Sequence, residues 1–184
     1  ADLDYDHYRA IRFRPERRFW LDAKRGFELD LLPPGFYYKD RIEIALVEGG
    51  VARTLAFDPG LFHYHPDYFP FPDGAAPGDT PHDLAYSGFR VRFPINRPDV
   101  MDEFLVFQGA SYFRAVARDQ LYGLSARGLA LGTGSPEGEE FPLFRKFWIT
   151  EPEVAATSLT IHALLDSQSV AGAYEFVVRP GAET

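Results

Sequence analysis

A chain of 184 residues is long enough to bury a substantial core in one domain, and this one carries a formal net charge of −8 and no cysteine. The acidic balance argues against a nucleic-acid partner, and the lack of cysteine excludes disulfides and thiolate metal sites. No apolar run approaches the roughly 18 residues of a membrane span. The N-terminal stretch lacks the apolar segment of a signal peptide, so any targeting segment is expected to have been removed.

Aromatic residues make up 16% of the chain, beside 16 Gly and 15 Pro, and this mixture favours short strands and tight turns over helices. Helical signal is confined to residues 4–11 and to the segment 15–22, which begins with a proline. Apolar and acidic residues alternate over 27–31, which predicts a strand. The same alternation over 41–47, followed by Glu-Gly-Gly and a second apolar segment at 51–57, predicts a hairpin.

Further along the chain the strand signals become denser. The segment 88–95 places Phe and Val on one face and two arginines on the other, and similar patterns follow at 103–117, 158–167 and 173–181. Residues 66–86 are rich in Pro and Gly without any period, which predicts a long surface loop. The chain is therefore predicted to be all-β, an antiparallel β-sandwich with one or two short N-terminal helices.

The glycine-rich stretch 122–142 has three possible interpretations. A phosphate-binding P-loop needs Gly-Lys-Ser/Thr at the start of a helix, whereas these glycines precede Glu139 and Glu140, which would repel phosphate. A nucleophile elbow needs a second glycine where Arg127 stands, and Ser125 has no local His or Asp to activate it. The stretch therefore predicts a glycine-rich hairpin with a solvated acidic tip.

Two histidines raise the question of a metal site. His63 and His65 would share one face of an extended segment, where two imidazoles can hold a metal ion. No third ligand lies nearby in the sequence. Two surface histidines flanking Tyr64 are therefore the favoured interpretation, and no metal or other cofactor is assigned.

Arg114 and Arg127 lie among small and aromatic residues. A guanidinium in such company either pairs with a carboxylate, for which Glu139 and Glu140 are the natural partners, or faces a ligand groove. Both interpretations stay open. Several nearby aromatic residues are expected in the core by default, but any that are exposed beside Arg and Glu would offer a platform for a sugar ring. These residues are Tyr112, Phe113, Tyr122, Phe147 and Trp148.

Five longer segments indicate a family: YDHYRAIRFRPERRFW (5–20), GASYFRA (109–115), YGLSARGLA (122–130), GEEFPLFRKFWI (138–149) and ALLDSQSVAGAYEFVVRPG (163–181). Together they closely resemble the periplasmic glucan biosynthesis proteins of the G/D family. The resemblance covers essentially the whole chain. Gln108 departs from the family pattern, and so does Gly132, where the resemblance would place an aspartate.

The resemblance implies an exported, periplasmic protein that serves the synthesis of osmoregulated periplasmic glucans. It implies a galactose-mutarotase-like β-sandwich of which residues 1–184 are only the N-terminal portion. Exposed apolar surface, and self-association of the isolated chain, are therefore expected. Implied partners are a β-1,2-linked glucan and a membrane glucosyltransferase. The alternative to glucan processing is a noncatalytic binding or assembly factor.

Some members of the family hydrolyse β-1,2-glucan with inversion, which requires a general acid and a general base. The resemblance places these carboxylates beyond the stretch matched here, so no catalytic residue is assigned and the isolated chain is expected to be inactive. Eight residues are instead expected to contact carbohydrate or scaffold its cleft. They are Tyr112, Arg114, Tyr122, Arg127, Glu139, Glu140, Trp148 and Asp166.

Overall fold

Two five-stranded sheets pack face to face in the computed structural model, which describes residues 3–21, 23–70 and 84–181. The earlier elements are α1 (Tyr5–Arg9), β1 (Ile11–Phe13), a 3-10 turn (Pro15–Arg17), β2 (Glu28–Leu32), β3 (Glu43–Glu48), β4 (Val51–Thr54), a second 3-10 turn (Pro59–Leu61) and β5 (Phe62–Tyr64). The later strands are β6 (Gly88–Phe93), β7 (Asp102–Gln108), β8 (Tyr112–Ala115), β9 (Leu124–Arg127), β10 (Leu143–Thr150), β11 (Leu159–Asp166) and β12 (Ala171–Val178).

The front sheet has the strand order β2-β6-β7-β8-β9, and all of its pairings are antiparallel. The back sheet has the order β12-β11-β10-β3-β4, in which β10 runs parallel to β3. Strands β1 and β5 form a separate two-stranded ribbon. The predicted all-β sandwich with short N-terminal helices is thus confirmed, and the parallel β3–β10 pair arises because the chain builds most of the front sheet between these two strands.

The two inner faces meet in a core dominated by phenylalanine. The ring of Phe107 lies 5.1 Å from that of Phe89, 5.2 Å from that of Phe147 and 5.1 Å from that of Phe176, measured between centroids. Edge-to-face and offset contacts at this spacing add stabilisation beyond the buried apolar area. The high aromatic content of the sequence is therefore used mainly to join the two sheets.

Local sequence signals explain the ends of several elements. The Asp4 side chain caps α1 by accepting a hydrogen bond of 2.9 Å from the His7 backbone N–H, and the contacts with His7 lower the pKa of the Asp4 carboxyl. Gly49 and Gly50 connect β3 to β4 with φ of 55° and 81°, as a tight hairpin turn requires. The predicted hairpin is therefore confirmed. None of the helices in the described ranges is long and apolar enough to span a membrane.

The predicted surface loop 66–86 lies mostly outside the described residues, because its central part, 71–83, is not described. Its end is not at the surface. Tyr86 is buried, and its hydroxyl donates to the Ala56 carbonyl at 2.9 Å and accepts from the Asp58 N–H at 3.1 Å. A phenol can be buried there because both of its hydrogen-bonding functions are satisfied.

Candidate functional site

A charged and aromatic cluster lies where β8 and β9 meet the segment that leads into β10. Arg127 stands opposite Tyr112 in the β8–β9 register, and its guanidinium carbon lies 5.6 Å from the Tyr112 ring centre and 5.7 Å from that of Phe141. The same guanidinium pairs with Glu139, whose Oε1 also accepts from Thr133 Oγ1 at 3.3 Å. We call Tyr112, Arg127, Glu139 and Phe141 the Arg127 cluster.

The ion pair in this cluster is only partly shielded from water. The side chains of Arg127 and Glu139 are 22% and 24% exposed, so the pair lies at a surface. The hydrogen bond with Glu139 raises the pKa of the Arg127 guanidinium above its ordinary value. The sequence left pairing and ligand contact open for Arg127, and the structure shows the pairing with Glu139 at a position that a ligand can still reach.

The glycine-rich loop that holds Glu139 is closed by backbone hydrogen bonds. The Glu140 N–H donates to the Leu131 carbonyl at 3.1 Å, and the Ser135 N–H donates to the Gly132 carbonyl at 2.9 Å. Gly132 has a φ of 65°, and a Cβ there would lie 2.9 Å from the Gly138 carbonyl oxygen. A side chain at residue 132 would therefore be strained in this loop.

The sequence predicted a solvated acidic tip for this loop, but both of its adjacent glutamates have partners within the chain. Glu140 accepts hydrogen bonds from the backbone N–H of Ser169 at 2.9 Å and from its hydroxyl at 2.7 Å. Hydrogen bonds from the hydroxyls of Ser167 and Ser169 lower the pKa of the Glu140 carboxyl. Since Glu139 is also paired, both glutamates are held in place by partners, because the loop folds back onto β9 and onto the turn before β12.

A groove of about 260 Å³ adjoins the cluster and shares Tyr112 with it. Among the residues that line it are Tyr37, Tyr38, Asp40, Ser87, Gly109 and Tyr112. Tyr37 is 82% exposed, so it lies at the solvent-facing rim. Residues 37–40 were not predicted as part of a site, although two adjacent tyrosines followed by Lys and Asp were a visible signal in the sequence.

A hydrogen-bond network supports the floor of this groove. Gln108 Nε2 donates to the hydroxyl of Tyr8 at 2.7 Å and to that of Ser87 at 2.8 Å. Both hydroxyls in turn donate to the Pro33 carbonyl, at 3.2 Å and 2.7 Å respectively. Desolvation by burial raises the pKa of the Tyr8 phenol, so it stays a donor. Gln108, the last residue of β7, thus links α1 to the residue just before β6 beneath the groove.

Arg114 lies at the end of a row of ion pairs on the outer face of the front sheet. Its Nη2 is 3.5 Å from Glu103 Oε1, and Glu103 Oε2 lies 3.3 Å from Arg90 Nε and 3.8 Å from Arg92 Nη2. Arg92 continues the row to Asp30. Arg114 therefore has an internal partner, and its half-exposed side chain keeps donors available to solvent.

The remaining predicted site residues lie elsewhere. Trp148 is on the outer face of the back sheet, where it stands opposite His162 and lies 5.3 Å from Lys146 Nζ. Asp166 stands opposite Leu143, a lining residue of the groove, so it lies near the groove but not in the Arg127 cluster. The structure brings together Tyr112, Arg127 and Glu139, with Glu140 next to them.

Tyr122 lies in the connection between β8 and β9, apart from the cluster. It is largely exposed, and so are its neighbours Leu121 and Leu124. The resemblance implies uncovered apolar surface because the chain would be part of a larger sandwich, and these three residues do not by themselves test that expectation. Self-association through such surface stays a prediction.

The two candidate metal ligands lie on the exposed side of the β1–β5 ribbon. His63 belongs to β5 and His65 follows it, with both side chains exposed. Across the described ranges, no group of three or more His, Cys, Asp or Glu side chains is placed to hold a metal ion.

Comparison with known proteins places this chain in a family. The family described as "Periplasmic glucan biosynthesis protein, MdoG" matches residues 1–184. A "Glucans biosynthesis protein G" of Rhodopseudomonas palustris (strain BisA53) is 51% identical over 185 residues, covering 100% of this chain and 35% of that protein. Proteins of the same name from Shewanella frigidimarina and Vibrio cholerae are 49% and 46% identical over 184 residues, covering 100% of this chain and 32% of each relative.

The chain spans about a third of the length of these curated relatives. The match nevertheless runs through every residue of the chain, as the five sequence segments predicted. The chain therefore belongs to the MdoG family of periplasmic glucan biosynthesis proteins.

Proposed function

We propose that this chain takes part in periplasmic glucan biosynthesis by supplying one wall of a cleft that binds β-1,2-linked glucan, with the groove beside Tyr112 as the contact surface. Family membership and the names of the relatives support the biosynthetic role. The proposal that the ligand is a glucan, and that it contacts this surface, is based on the residues that line the groove.

The observation that carries the proposal is the set of tyrosines around one groove. Tyr37, Tyr38 and Tyr112 come from two distant segments and line the same space, with Asp40 beside them. A pyranose ring presents apolar C–H groups to an aromatic face and hydroxyls to charged groups. The groove, at about 260 Å³, is below the range of about 300–1,000 Å³ typical of drug-sized sites, which suits a short part of a longer glucan.

The Arg127 cluster extends this surface with polar groups. A guanidinium has five N–H donors, and pairing with Glu139 uses only some of them. The remaining donors are available for sugar hydroxyls next to the Tyr112 ring. In this proposal the ion pair fixes the orientation of Arg127, and the glucan approaches the exposed side of the pair.

The same geometry argues for binding rather than catalysis within this stretch. A general acid for glycoside hydrolysis needs a raised pKa, whereas hydrogen bonds lower the pKa of Glu140. Glu139 is held by Arg127. Hydrolysis of β-1,2-glucan is therefore proposed only for the longer protein, and a noncatalytic role beside a membrane glucosyltransferase is its alternative.

A titration with linear β-1,2-glucan tests the binding surface. We expect Tyr112→Ala to weaken binding about threefold to tenfold, the equivalent of an aromatic contact of about 0.5–1.5 kcal/mol. Tyr68→Ala is the matched control, since Tyr68 and Tyr112 are 40% and 39% exposed and Tyr68 lies beside the β1–β5 ribbon. Equal binding by both variants, or no binding by the unaltered chain, would overturn the proposed surface.

An activity assay tests the division between binding and hydrolysis. We expect no release of reducing ends from linear β-1,2-glucan by this chain alone, purified free of other glucanases. Turnover that is lost in Glu139→Gln, Glu140→Gln or Asp166→Asn would show that the catalytic carboxylates lie in this stretch. Turnover by the longer protein together with none by this chain would agree with the proposal.

A further inference from the structure

A second and larger groove, of about 610 Å³, lies beside the β1–β5 ribbon and is separate from the Tyr112 groove. Among its lining residues are Arg9, Arg12, His63, His65, Asp67 and Tyr68. Two arginines and two histidines face one aspartate there, in a chain whose net charge is −8. The groove therefore has a charge opposite to that of the chain as a whole, which calls for a physical explanation.

The antiparallel register brings the basic groups to one face of the ribbon. Arg12 stands directly opposite His63, and the His65 N–H donates to the Ala10 carbonyl at 3.0 Å, which continues the pairing by two residues. Side chains two residues apart on a strand share a face, and directly opposed Cβ atoms lie about 4.5–5.5 Å apart. The Arg12, His63 and His65 side chains are therefore neighbours.

These basic groups are poorly neutralised by the rest of the described chain. Within the described ranges no hydrogen bond or ion pair engages the Arg12 or His63 side chain. Arg9 Nη1 lies 4.0 Å from Asp6 Oδ1, at the limit of an ion pair. His65 Nδ1 lies 3.8 Å from Asp67 Oδ2, and the Asp67 carboxylate is mostly exposed. The side-chain donors of Arg12 and His63 are therefore available to a ligand in the groove.

We propose that this groove binds a phosphate-class oxyanion, held by Arg12 and His63 with His65 beside them. A guanidinium donates two parallel hydrogen bonds to phosphate oxygens, and an imidazole adds a further donor from another direction. The volume exceeds that of the Tyr112 groove, which leaves room for a group attached to the phosphate. Asp67 opposes the anion, but it lies at the His65 end of the groove, so Arg12 and His63 form the binding corner.

The phosphate could be free or carried by a sugar, and the two sources share this recognition chemistry. An NMR titration at low ionic strength with inorganic phosphate, glucose 6-phosphate and glucose, each in separate samples, distinguishes them. We expect both phosphates to shift the amide signals of residues 9–12, 63–65, 67 and 68, and glucose to leave them unchanged. Tighter binding of glucose 6-phosphate than of inorganic phosphate would identify a phosphorylated sugar as the ligand, and equal binding would identify the free ion.

Variants of Arg12 and His63 test whether these two side chains bind the phosphate. Arg12→Gln and His63→Gln are each expected to weaken phosphate binding about tenfold or more, as loss of a charged hydrogen bond does. Arg97→Gln is the matched control, because Arg97 is an exposed arginine whose nearest carboxylate is Asp99 at 3.7 Å. Since Arg12 and His63 hold no described partner, both variants should melt like the unaltered chain.

Two results would overturn the proposal. One is the absence of phosphate-induced shifts in the unaltered chain at millimolar concentration, and the other is undiminished binding by Arg12→Gln. Neither result depends on Tyr112 or on glucan, so the proposed glucan surface stands or falls separately.

Discussion

The buried carboxylate of Asp30 offers a sharp test of the ion-pair row on the front sheet. Its side chain is only 4% exposed, and it is shared by two guanidiniums. Arg92 Nε donates to Oδ2 at 3.0 Å, and Arg18 Nε lies 3.1 Å from Oδ1. Asp30→Ala removes this carboxylate and leaves two arginines on a largely buried face.

The expected loss of unfolding free energy depends on the contacts that the two arginines keep in Asp30→Ala. Breaking a buried ion pair from one side costs about 3–5 kcal/mol. Each arginine keeps a second contact, since Arg18 Nη1 lies 3.0 Å from Glu28 and Arg92 Nη1 donates to the Met101 carbonyl at 3.2 Å. In addition, the Arg18–Asp30 contact lacks hydrogen-bond geometry. We therefore expect about 3 kcal/mol, the lower end, which lowers the Tm of a chain of this size by about 6–12 °C.

Urea unfolding of Asp30→Ala beside Arg97→Ala measures this loss. Arg97 and Asp99 are 69% and 74% exposed, so breaking their pair should cost roughly 0.5 kcal/mol or less. High salt should leave the Asp30 effect nearly unchanged, because buried charges are weakly screened. A loss for Asp30→Ala no larger than that for Arg97→Ala would refute the reasoning that the Asp30 end of this row is buried and contributes to stability.

Three further perturbations have definite expected outcomes. Gly128→Ala places a Cβ 2.6 Å from the buried Phe144 ring, so urea unfolding should show a loss of about 1–3 kcal/mol, and an unchanged midpoint would contradict this packing. A hydrogen bond from Ser135 lowers the pKa of the Glu137 carboxyl, so carbon NMR should show that pKa rising in Ser135→Ala. Because the Glu137 pKa is depressed in the folded chain, the stability that this hydrogen bond contributes is lost as pH falls through the folded-state pKa. Burial raises the pKa of Tyr86 to about 12, so ultraviolet titration should find its phenol still protonated well above pH 10. The contribution of the neutral phenol to stability should be lost as pH rises through about 12. Ionisation of every tyrosine near pH 10 would be inconsistent with the burial of Tyr86.

Local patterns were enough to predict most of the strands, because each depends on residues close together in the sequence. The alternation over 88–95 corresponds to β6, and the Glu-Gly-Gly turn connects β3 to β4. Two features were not predictable in this way. The parallel pairing of β10 with β3 joins residues about a hundred positions apart, and the burial of Tyr86 depends on acceptors and donors from 56–58.

The arrangement of the candidate site was predictable only in part for the same reason. Arg127 and Glu139 are close in sequence, so a pair between them could be anticipated as one of two alternatives. Trp148 was grouped with them by chemistry, yet β10 places its ring on the outer face of the back sheet, away from the Arg127 cluster. Tyr37 and Tyr38 were missed because neither periodicity nor a motif connects them to Tyr112; only the folded chain does.

The groove residue Tyr38 is held in place by α1 and by the end of β7. The Tyr8 ring lies 5.6 Å from that of Tyr38, while the Tyr8 hydroxyl accepts from Gln108, four residues before Tyr112. Gly109 completes the packing, since a Cβ there would lie 3.2 Å from the Tyr38 ring. Ordering a side chain on binding costs about 0.5–1.5 kcal/mol, and a ring that is already packed avoids much of this cost. If the proposed glucan surface is correct, packing of the short N-terminal helix against Tyr38 should therefore favour glucan affinity, although the helix does not itself line the groove.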